Sequence, residues 1–211
     1  MSSSHTRSRP KGALFIVSAP SGAGKTSLCN RLVDFFPHLR HSVSFTTRAQ
    51  RAREEDGVDY FFITPESFAE MVEQGAFAEW AEVHGNRYGT AIETLDHWRE
   101  QGYDVLLDID IQGAAQLRKA YGEGVFIFIL PPDLKELRKR LENRQTDDAE
   151  VIERRMKNAR DEIRESVNYD FVVVNDDFDV ALDALKSIVV AEGCRTARVL
   201  PGLTEVFDLD I

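Results

Sequence analysis

The chain has 211 residues and a formal net charge of −10, and 43% of its residues are hydrophobic. This length suits one domain with small insertions, and the composition excludes an intrinsically disordered chain. The acidic balance argues against general affinity for nucleic acid or for an anionic membrane surface.

The termini and the cysteines suggest where the protein works. Residues 1–12 are rich in Ser and Arg, and we expect them to form a flexible basic arm. We find no signal peptide and no apolar run long enough to span a bilayer. Cys29 and Cys194 fit neither a disulfide framework nor a metal motif, so we predict free thiols in a reducing compartment. We therefore expect a cytoplasmic protein.

Continuous apolar runs alternate with helical segments along most of the chain. The predicted strands are Ala13–Ser18, Val105–Ile109, Val125–Leu130 and Phe171–Val174. The predicted helices are Lys25–Phe36, Gln112–Tyr121, Asp133–Asn143, Ala149–Val167 and Val180–Glu192. Strands that are apolar on both faces, separated by helices, are typical of a parallel sheet covered on both sides. The pattern predicts a doubly wound α/β core over residues 13–192.

Two regions interrupt this alternation. Residues 45–95 contain the short strands Tyr60–Ile63 and Phe77–Val83, with a helix between them that starts at Pro65. The spacing of Thr90 and Glu93 predicts a capping box for the next helix. We interpret residues 45–95 as an inserted subdomain, residues 140–155 as a short lid, and residues 193–211 as a tail of unknown role.

The strongest motif is the segment APSGAGKT, which follows the first strand and opens the first helix. It has the context that a P-loop requires. Glycines let successive backbone N–H groups point at phosphate oxygens, the lysine contacts the β- and γ-phosphates, and the threonine hydroxyl binds Mg²⁺. The predicted ATP-binding residues here are Pro20, Ser21, Gly22, Ala23, Gly24, Lys25 and Thr26. Ala19 stands where such motifs usually begin with Gly.

An acidic residue supports this interpretation. Asp108 ends a predicted apolar strand, the position from which a P-loop enzyme orients Mg²⁺ or its water ligands. Thr26 and Asp108 are thus the predicted metal site, with Asp108 acting through water. A strand that ends in Asp is weak support alone, because Asp also begins turns.

The inserted region contains groups that could bind a dianionic monophosphate. Arg48 and Arg51 flank a strand end, and Tyr60 and Tyr88 provide hydroxyl groups. Any one of these arginines by itself is better explained as a solvated surface residue.

Taken together, the ordered motifs closely resemble the guanylate kinase family. The matching segments are the P-loop with its strand, Thr46–Arg51, Asp56–Phe62, Phe77–Thr90, Leu106–Ala114, Phe128–Pro132, Arg140–Arg144 and Val173–Asp179. The resemblance extends from about Ala13 to Glu192. It implies transfer of the γ-phosphoryl group of Mg·ATP to GMP, and to dGMP as well.

The resemblance also implies roles for individual residues. It places the GMP phosphate at Arg48, Arg51, Tyr60 and Tyr88, and the guanine at Ser44, Glu79, Thr90 and Asp110. The chemistry is consistent, since guanine presents N1–H and N2–H₂ donors to a carboxylate and adenine does not. Without the resemblance, Glu79 would be interpreted as an outward-facing residue of an alternating strand.

For the donor side, the resemblance implies arginines around the ATP phosphates at Arg140, Arg144 and Arg155. Together with Lys25 and Arg48 they form the predicted catalytic set, which supplies positive charge during transfer. Asn175 is placed at the adenine and ribose end of ATP. Gln145 stands where the family often has Gly, which bears on the motion of the lid.

Three alternatives remain open on the sequence. One is a kinase for AMP or a pyrimidine monophosphate, and another is a guanylate-kinase-like module that binds phosphopeptides without catalysis. The third is a P-loop NTPase switch, for which we find no water-orienting residue. The expected partners are ATP and GMP, with no nucleic acid and no membrane, and a homo-oligomer is left open.

Overall fold

The computed structural model describes residues 10–52, 54–83, 85–143 and 148–208. The strands in this part of the chain form two sheets. The first contains β1 (Leu14–Ser18), β2 (Leu39–His41), β7 (Asp104–Asp108), β8 (Val125–Leu130) and β9 (Phe171–Val174), and the second contains β3 (Phe45–Thr46), β4 (Phe61–Phe62), β5 (Phe77–Val83) and β6 (Asn86–Ala91). The helices are α1 (Lys25–Phe35), α2 (Pro65–Glu73), α3 (Ile92–Glu100), α4 (Ile111–Tyr121), α5 (Leu134–Glu142), α6 (Ala149–Arg164), α7 (Phe178–Gly193), α8 (Thr196–Val199) and α9 (Thr204–Phe207).

The first sheet is parallel throughout, with the strand order β2-β7-β1-β8-β9. From the central strand β1 the sheet extends on one side through β7 to β2, and on the other through β8 to β9. Such a doubly wound sheet places ligands outside the carboxyl ends of its central strands. The predicted fold class is confirmed.

Helices cover both faces of this sheet, and β1 shows how. Phe15 and Val17 pack into one buried cluster with side chains of α1 and α7. Leu14 and Ile16 point to the opposite face and pack with side chains of α3 and α4. Because both faces are covered, every residue of β1 is buried, which explains its uninterrupted apolar sequence.

The second sheet is inserted between β2 and β7. Its order is β4-β3-β6-β5, and β5 and β6 form an antiparallel hairpin. α2 joins β4 to β5 and begins as predicted, with Pro65 in its first turn and the Thr64 hydroxyl accepting a hydrogen bond from the Ser67 N–H. This arrangement leaves β5 as an edge strand beside α4.

The remaining helices pack around the core. α5 and α6 contact each other through a small cluster that includes Leu137, Leu141 and Met156. The predicted lid residues Arg144 and Gln145 lie outside the described residues. After α7, the Arg198 guanidinium donates to Asp104 Oδ1 at 2.8 Å, which connects the C-terminal residues to β7.

The structure corrects two sequence-based expectations about local elements. The strands β2 and β6 were not predicted, because β2 is short and β6 is mixed in polarity. The predicted capping box is wrong, because α3 begins at Ile92 after an Ala91 N-cap without a side-chain hydrogen bond. The Thr90 hydroxyl instead donates to Glu79 Oε1 at 2.6 Å.

None of the helices in the described ranges combines the length and the apolar character needed to cross a bilayer.

Candidate active site

The P-loop lies between the carboxyl end of β1 and the start of α1. Gly22 and Gly24 have φ values of 95° and 92°, a left-handed conformation that L side chains rarely adopt. Ala19, where such motifs usually have Gly, has no positive φ, so alanine fits there without strain. Gly24 is the N-cap of α1 and provides no side-chain cap, so the first N–H groups of the helix remain suited to an anion.

Lys25 faces the end of the neighbouring strand β7. Its Nζ forms an ion pair with Asp108 Oδ1 and donates to the Ile109 carbonyl at 3.0 Å. The parallel register pairs Val17 with Asp108, which explains why the P-loop and this carboxylate meet. The sequence expectation that Asp108 lies close to the P-loop therefore agrees with the geometry.

Asn175 is hydrogen-bonded to the P-loop. The residue is 5% exposed, and its Nδ2 donates to the Ala23 carbonyl at 2.7 Å. A Cβ at Gly24 would collide with the same Nδ2, so glycine is required there by contact as well as by φ. The Asn175 carbonyl accepts from Arg140 Nη2 at 3.1 Å, which links the P-loop to α5.

Two adjoining cavities lie next to Lys25 and Asp108. The larger, about 510 Å³, includes Lys25 and Thr26 in its lining. The smaller, about 160 Å³, is lined by residues that include Glu79, Tyr88 and Asp110. Ser44, Tyr60 and Asp108 line both cavities, so the two are parts of one cleft. Five of the eight residues predicted to bind GMP line the smaller cavity: Ser44, Tyr60, Glu79, Tyr88 and Asp110.

Glu79 is the buried carboxylate of the smaller cavity, and it is 5% exposed. Thr90 Oγ1 donates to its Oε1 at 2.6 Å, and Ser44 Oγ lies 3.3 Å from the same Thr90 oxygen. Burial raises the pKa of Glu79 to about 7, with a smaller contribution from the nearby Asp110, while the Thr90 hydrogen bond opposes the shift.

Asp110 also has a structural role that the sequence did not indicate. It is the N-cap of α4, and its Oδ1 accepts from the Gly113 N–H at 2.8 Å. One carboxylate oxygen is thereby fixed by the helix. Asp110 also lines the smaller cavity.

The predicted phosphate-binding groups meet around Arg48. Its guanidinium donates to both carboxylate oxygens of Glu54, at 3.0 and 2.8 Å, and lies over the Tyr60 ring at 5.4 Å. The Tyr60 and Tyr88 rings are 5.9 Å apart. The Arg51 side chain is 74% exposed, so it is the least enclosed of the predicted phosphate-binding arginines.

Of the three predicted lid arginines, two lie in the described residues. Arg140 on α5 is held by Glu136 Oε1 at 3.1 Å as well as by the Asn175 carbonyl. Arg155 is half-buried on α6. Arg144 lies outside the described residues.

Some residues of the site were missed by the sequence analysis. One of them is Glu54, which orients Arg48 but has the sequence context of an ordinary acidic loop residue. Its position six residues after Arg48 is only a weak indication of an ion pair. On the cleft wall, His41 Nε2 and Ser42 Oγ are buried and have no hydrogen-bond partner within the described residues. Burial lowers the pKa of His41, which favours the neutral imidazole.

Comparison with known proteins is consistent with this geometry. Residues 11–192 match the family model described as guanylate kinase. The chain is 60% identical over 200 residues to a guanylate kinase of Syntrophotalea carbinolica, with 95% of each chain covered. It is 59% identical over 199 residues to a guanylate kinase of Geobacter metallireducens, covering 94% of this chain and 98% of its relative.

A solved structure shows the same fold. The crystal structure of guanylate kinase from Anaplasma phagocytophilum superposes with a TM-score of 0.76 at 32% identity, and the match covers 97% of this chain and 100% of that one. With a family model over most of its length and relatives near 60% identity, the chain belongs to the guanylate kinase family.

Proposed function

We propose that this chain transfers the γ-phosphoryl group of Mg·ATP to GMP, producing ADP and GDP. The observation that carries the proposal is the single cleft in which the P-loop lysine and the buried Glu79 pocket adjoin through Ser44, Tyr60 and Asp108. A donor and an acceptor bound in these two cavities would meet at the Asp108 end of β7. The relatives' shared name supports the same ATP:GMP phosphotransferase activity.

On the donor side, the backbone N–H groups of the P-loop, residues 21–26, would surround the ATP phosphates. Pro20 has no N–H group and would not contribute. Lys25 would exchange its ion pair with Asp108 for the β- and γ-phosphates. Asn175 would hold the P-loop through the Ala23 carbonyl, because its amide donor is already used there. Arg140 and Arg155, together with Arg144, would place positive charge beside the transferring group.

On the acceptor side, Glu79 would accept hydrogen bonds from guanine N1–H and N2–H₂, with Ser44, Thr90 and Asp110 completing the base site. Arg48, Arg51, Tyr60 and Tyr88 would bind the GMP phosphate. Arg48 is the best placed of these, since Glu54 fixes the plane of its guanidinium. GMP and dGMP differ only in the ribose 2′-hydroxyl group, and none of the residues assigned here to GMP is placed against that hydroxyl, so dGMP should be accepted too.

The residues present fit a magnesium ion that arrives with ATP. Thr26 offers a hydroxyl and Asp108 a carboxylate, and Mg²⁺ prefers such oxygen ligands with substrate phosphates and water completing its shell. Thr26 would bind it directly and Asp108 through water. When bound, the ion neutralises charge on the β- and γ-phosphates.

The chemistry needs neither a protein nucleophile nor a strong general base. A GMP phosphate oxygen is already anionic at neutral pH, and it attacks the γ-phosphorus in line as the bond to the β–γ bridging oxygen breaks. Catalysis then comes from alignment of the two nucleotides and from the cationic side chains around the transferring group. The free thiols Cys29 and Cys194 are consistent with work in the reducing cytoplasm.

The activity is tested by following ADP production from Mg·ATP with GMP, AMP, CMP or UMP as the varied component. We expect turnover with GMP and little with the other three. Turnover with AMP or a pyrimidine monophosphate would keep the donor site and overturn the base site. GMP binding without turnover would support the phosphopeptide-binding alternative, which the catalytic P-loop disfavours.

The Asn175→Ala variant should raise the KM for ATP about tenfold and leave the KM for GMP unchanged, because a buried carbonyl of the P-loop loses its donor. The measurement compares ATP with GTP as donors. Equal losses with both indicate support of the P-loop, whereas a loss confined to ATP would indicate an adenine contact instead. Asn168→Ala, which removes an exposed amide that donates to Glu165, is the matched control.

A further inference from the structure

Helix α4 lies directly beside β5, the strand that carries Glu79, and Gly113 of α4 contacts that side chain. A Cβ added to Gly113 would stand 2.5 Å from Glu79 Oε2 and 3.2 Å from its Cδ. Gly113 is helical and buried, and its φ is not positive, so the backbone itself does not require glycine. Glycine at this position instead leaves the space that the Glu79 carboxylate occupies.

A second contact fixes the neighbouring residue of the same strand. Gln116, one turn further along α4, accepts from the Trp80 N–H at 3.1 Å and donates to the Trp80 carbonyl at 2.8 Å. Because β5 is an edge strand, this side chain replaces the backbone partner that β5 lacks there. It holds the strand against α4 one residue from Glu79.

Gly113 also contacts the second carboxylate of the base site. Its N–H is the donor that fixes Asp110 Oδ1 at 2.8 Å. Gly113 thus contacts both carboxylates. Its N–H group holds Asp110 by a hydrogen bond, and its lack of a side chain leaves room for the Glu79 carboxylate. The separation of the two carboxylates is set by α4 and not by the inserted sheet alone.

We propose that Gly113 and Gln116 are positioning residues that place the Glu79 carboxylate for the selection of guanine. The inference rests on the proposed function and extends it to residues outside the base site itself. A displaced carboxylate would still allow a purine to bind through its phosphate. It would lose the hydrogen bond that distinguishes GMP from inosine monophosphate, which lacks the 2-amino group.

The test measures kcat/KM for GMP and for inosine monophosphate in the full chain. We expect Gly113→Ala to lower the preference for GMP about tenfold, the effect of one lost hydrogen bond in a buried site. The KM for ATP should stay within about twofold, since the P-loop is untouched. Gly193→Ala is the matched control, because this helical glycine has nothing within 4 Å of an added Cβ.

A double-mutant cycle separates positioning from a general loss of structure. If Gly113→Ala acts by displacing Glu79, then Glu79→Gln should cost far less selectivity in the Gly113→Ala background than in the unaltered chain. Additive losses would contradict the proposal. If Gly113→Ala does not fold, Gln116→Ala takes its place, because Gln116 is exposed; we expect a selectivity loss of about threefold, in line with one exposed contact to the strand.

The outcomes distinguish this inference from the proposed function. No GMP turnover by the unaltered chain would overturn the phosphotransferase itself. The positioning role alone would be overturned if folded Gly113→Ala kept the full preference for GMP over inosine monophosphate. The same result in folded Gln116→Ala would overturn it if Gly113→Ala does not fold.

Discussion

Replacing Lys25 with alanine is expected to lower kcat about 100-fold or more, the scale for removing one preorganised charge from a transition state. Lys25 is the P-loop cation, and its Nζ already faces Asp108 and the Ile109 carbonyl at the edge of the cleft. With ATP bound, the same Nζ would stabilise the charge that builds on the β–γ bridging oxygen. The loss should appear in kcat more than in the KM for GMP, because the base site is separate.

The measurement is steady-state kinetics together with thermal unfolding. The side chain of Lys25 is 19% exposed and its removal leaves Asp108 without its cation, so a modest fall in Tm is expected. Lys186→Ala is the control: it removes a partly buried lysine that also pairs with an aspartate, but on α7 away from the cleft. Near-normal kcat in folded Lys25→Ala would contradict the assignment of the P-loop.

Short-range patterns were enough to predict the position and the backbone conformation of the P-loop. The P-loop lies within eight consecutive residues between a buried strand and a helix, so its geometry follows from local backbone rules. Asp108 was predictable because parallel strands align their carboxyl ends, and the register places it beside Val17. The resemblance then predicted eight acceptor residues, five of which line one small cavity.

Contacts between distant parts of the chain were not predictable from the sequence. Asn175 meets Ala23 across 152 positions, and Gln116 meets Trp80 across 36, so neither has a periodicity that could signal it. The predicted capping box failed because the Thr90 hydroxyl is hydrogen-bonded to Glu79, a tertiary partner that a local spacing rule does not contain.

Burial at the sheet edge also departed from the sequence pattern. Phe171–Val174 was predicted as a strand covered on both faces. The strand exists, but β9 is the outer strand of the sheet, and Phe171, Val172 and Val174 are 39%, 48% and 49% exposed. An apolar run shows that a strand is compatible with burial, while its place in the sheet order decides whether it is buried.

Glu79→Gln is expected to lower kcat/KM for GMP about 100-fold and to leave the KM for ATP unchanged. A carboxylate offers an acceptor oxygen to each of the N1–H and N2–H₂ donors of guanine, whereas an amide of the same shape offers one acceptor and places a donor against the base. At a buried site such a mismatch leaves polar groups unpaired, and the cost corresponds to a loss of roughly 100-fold in kcat/KM. Glu82→Gln, on the exposed part of the same strand, is the matched control.

The raised pKa of Glu79 gives this prediction a pH signature. With a pKa of about 7 in the free protein, the carboxyl group is mostly protonated below pH 7 and cannot accept from both guanine donors. We therefore expect kcat/KM for GMP to fall as the pH drops through about 7, while Glu79→Gln shows no such step. A pH step that persists in the folded variant would assign it to another group.

The same shift has a consequence for stability, and its sign is opposite to that of an ordinary ion-paired acid. Because burial raises the folded-state pKa above its unfolded value of 4.5, the folded protein holds the proton more tightly. The stabilisation is fully present below pH 4.5 and is lost as the pH rises through about 7. We therefore expect the Tm of Glu79→Gln minus the Tm of the unaltered chain to increase as the pH is raised from 5 to 8. A constant difference in Tm would show that burial in the folded state does not shift this carboxyl group, and that Glu79 is already ionised when GMP arrives.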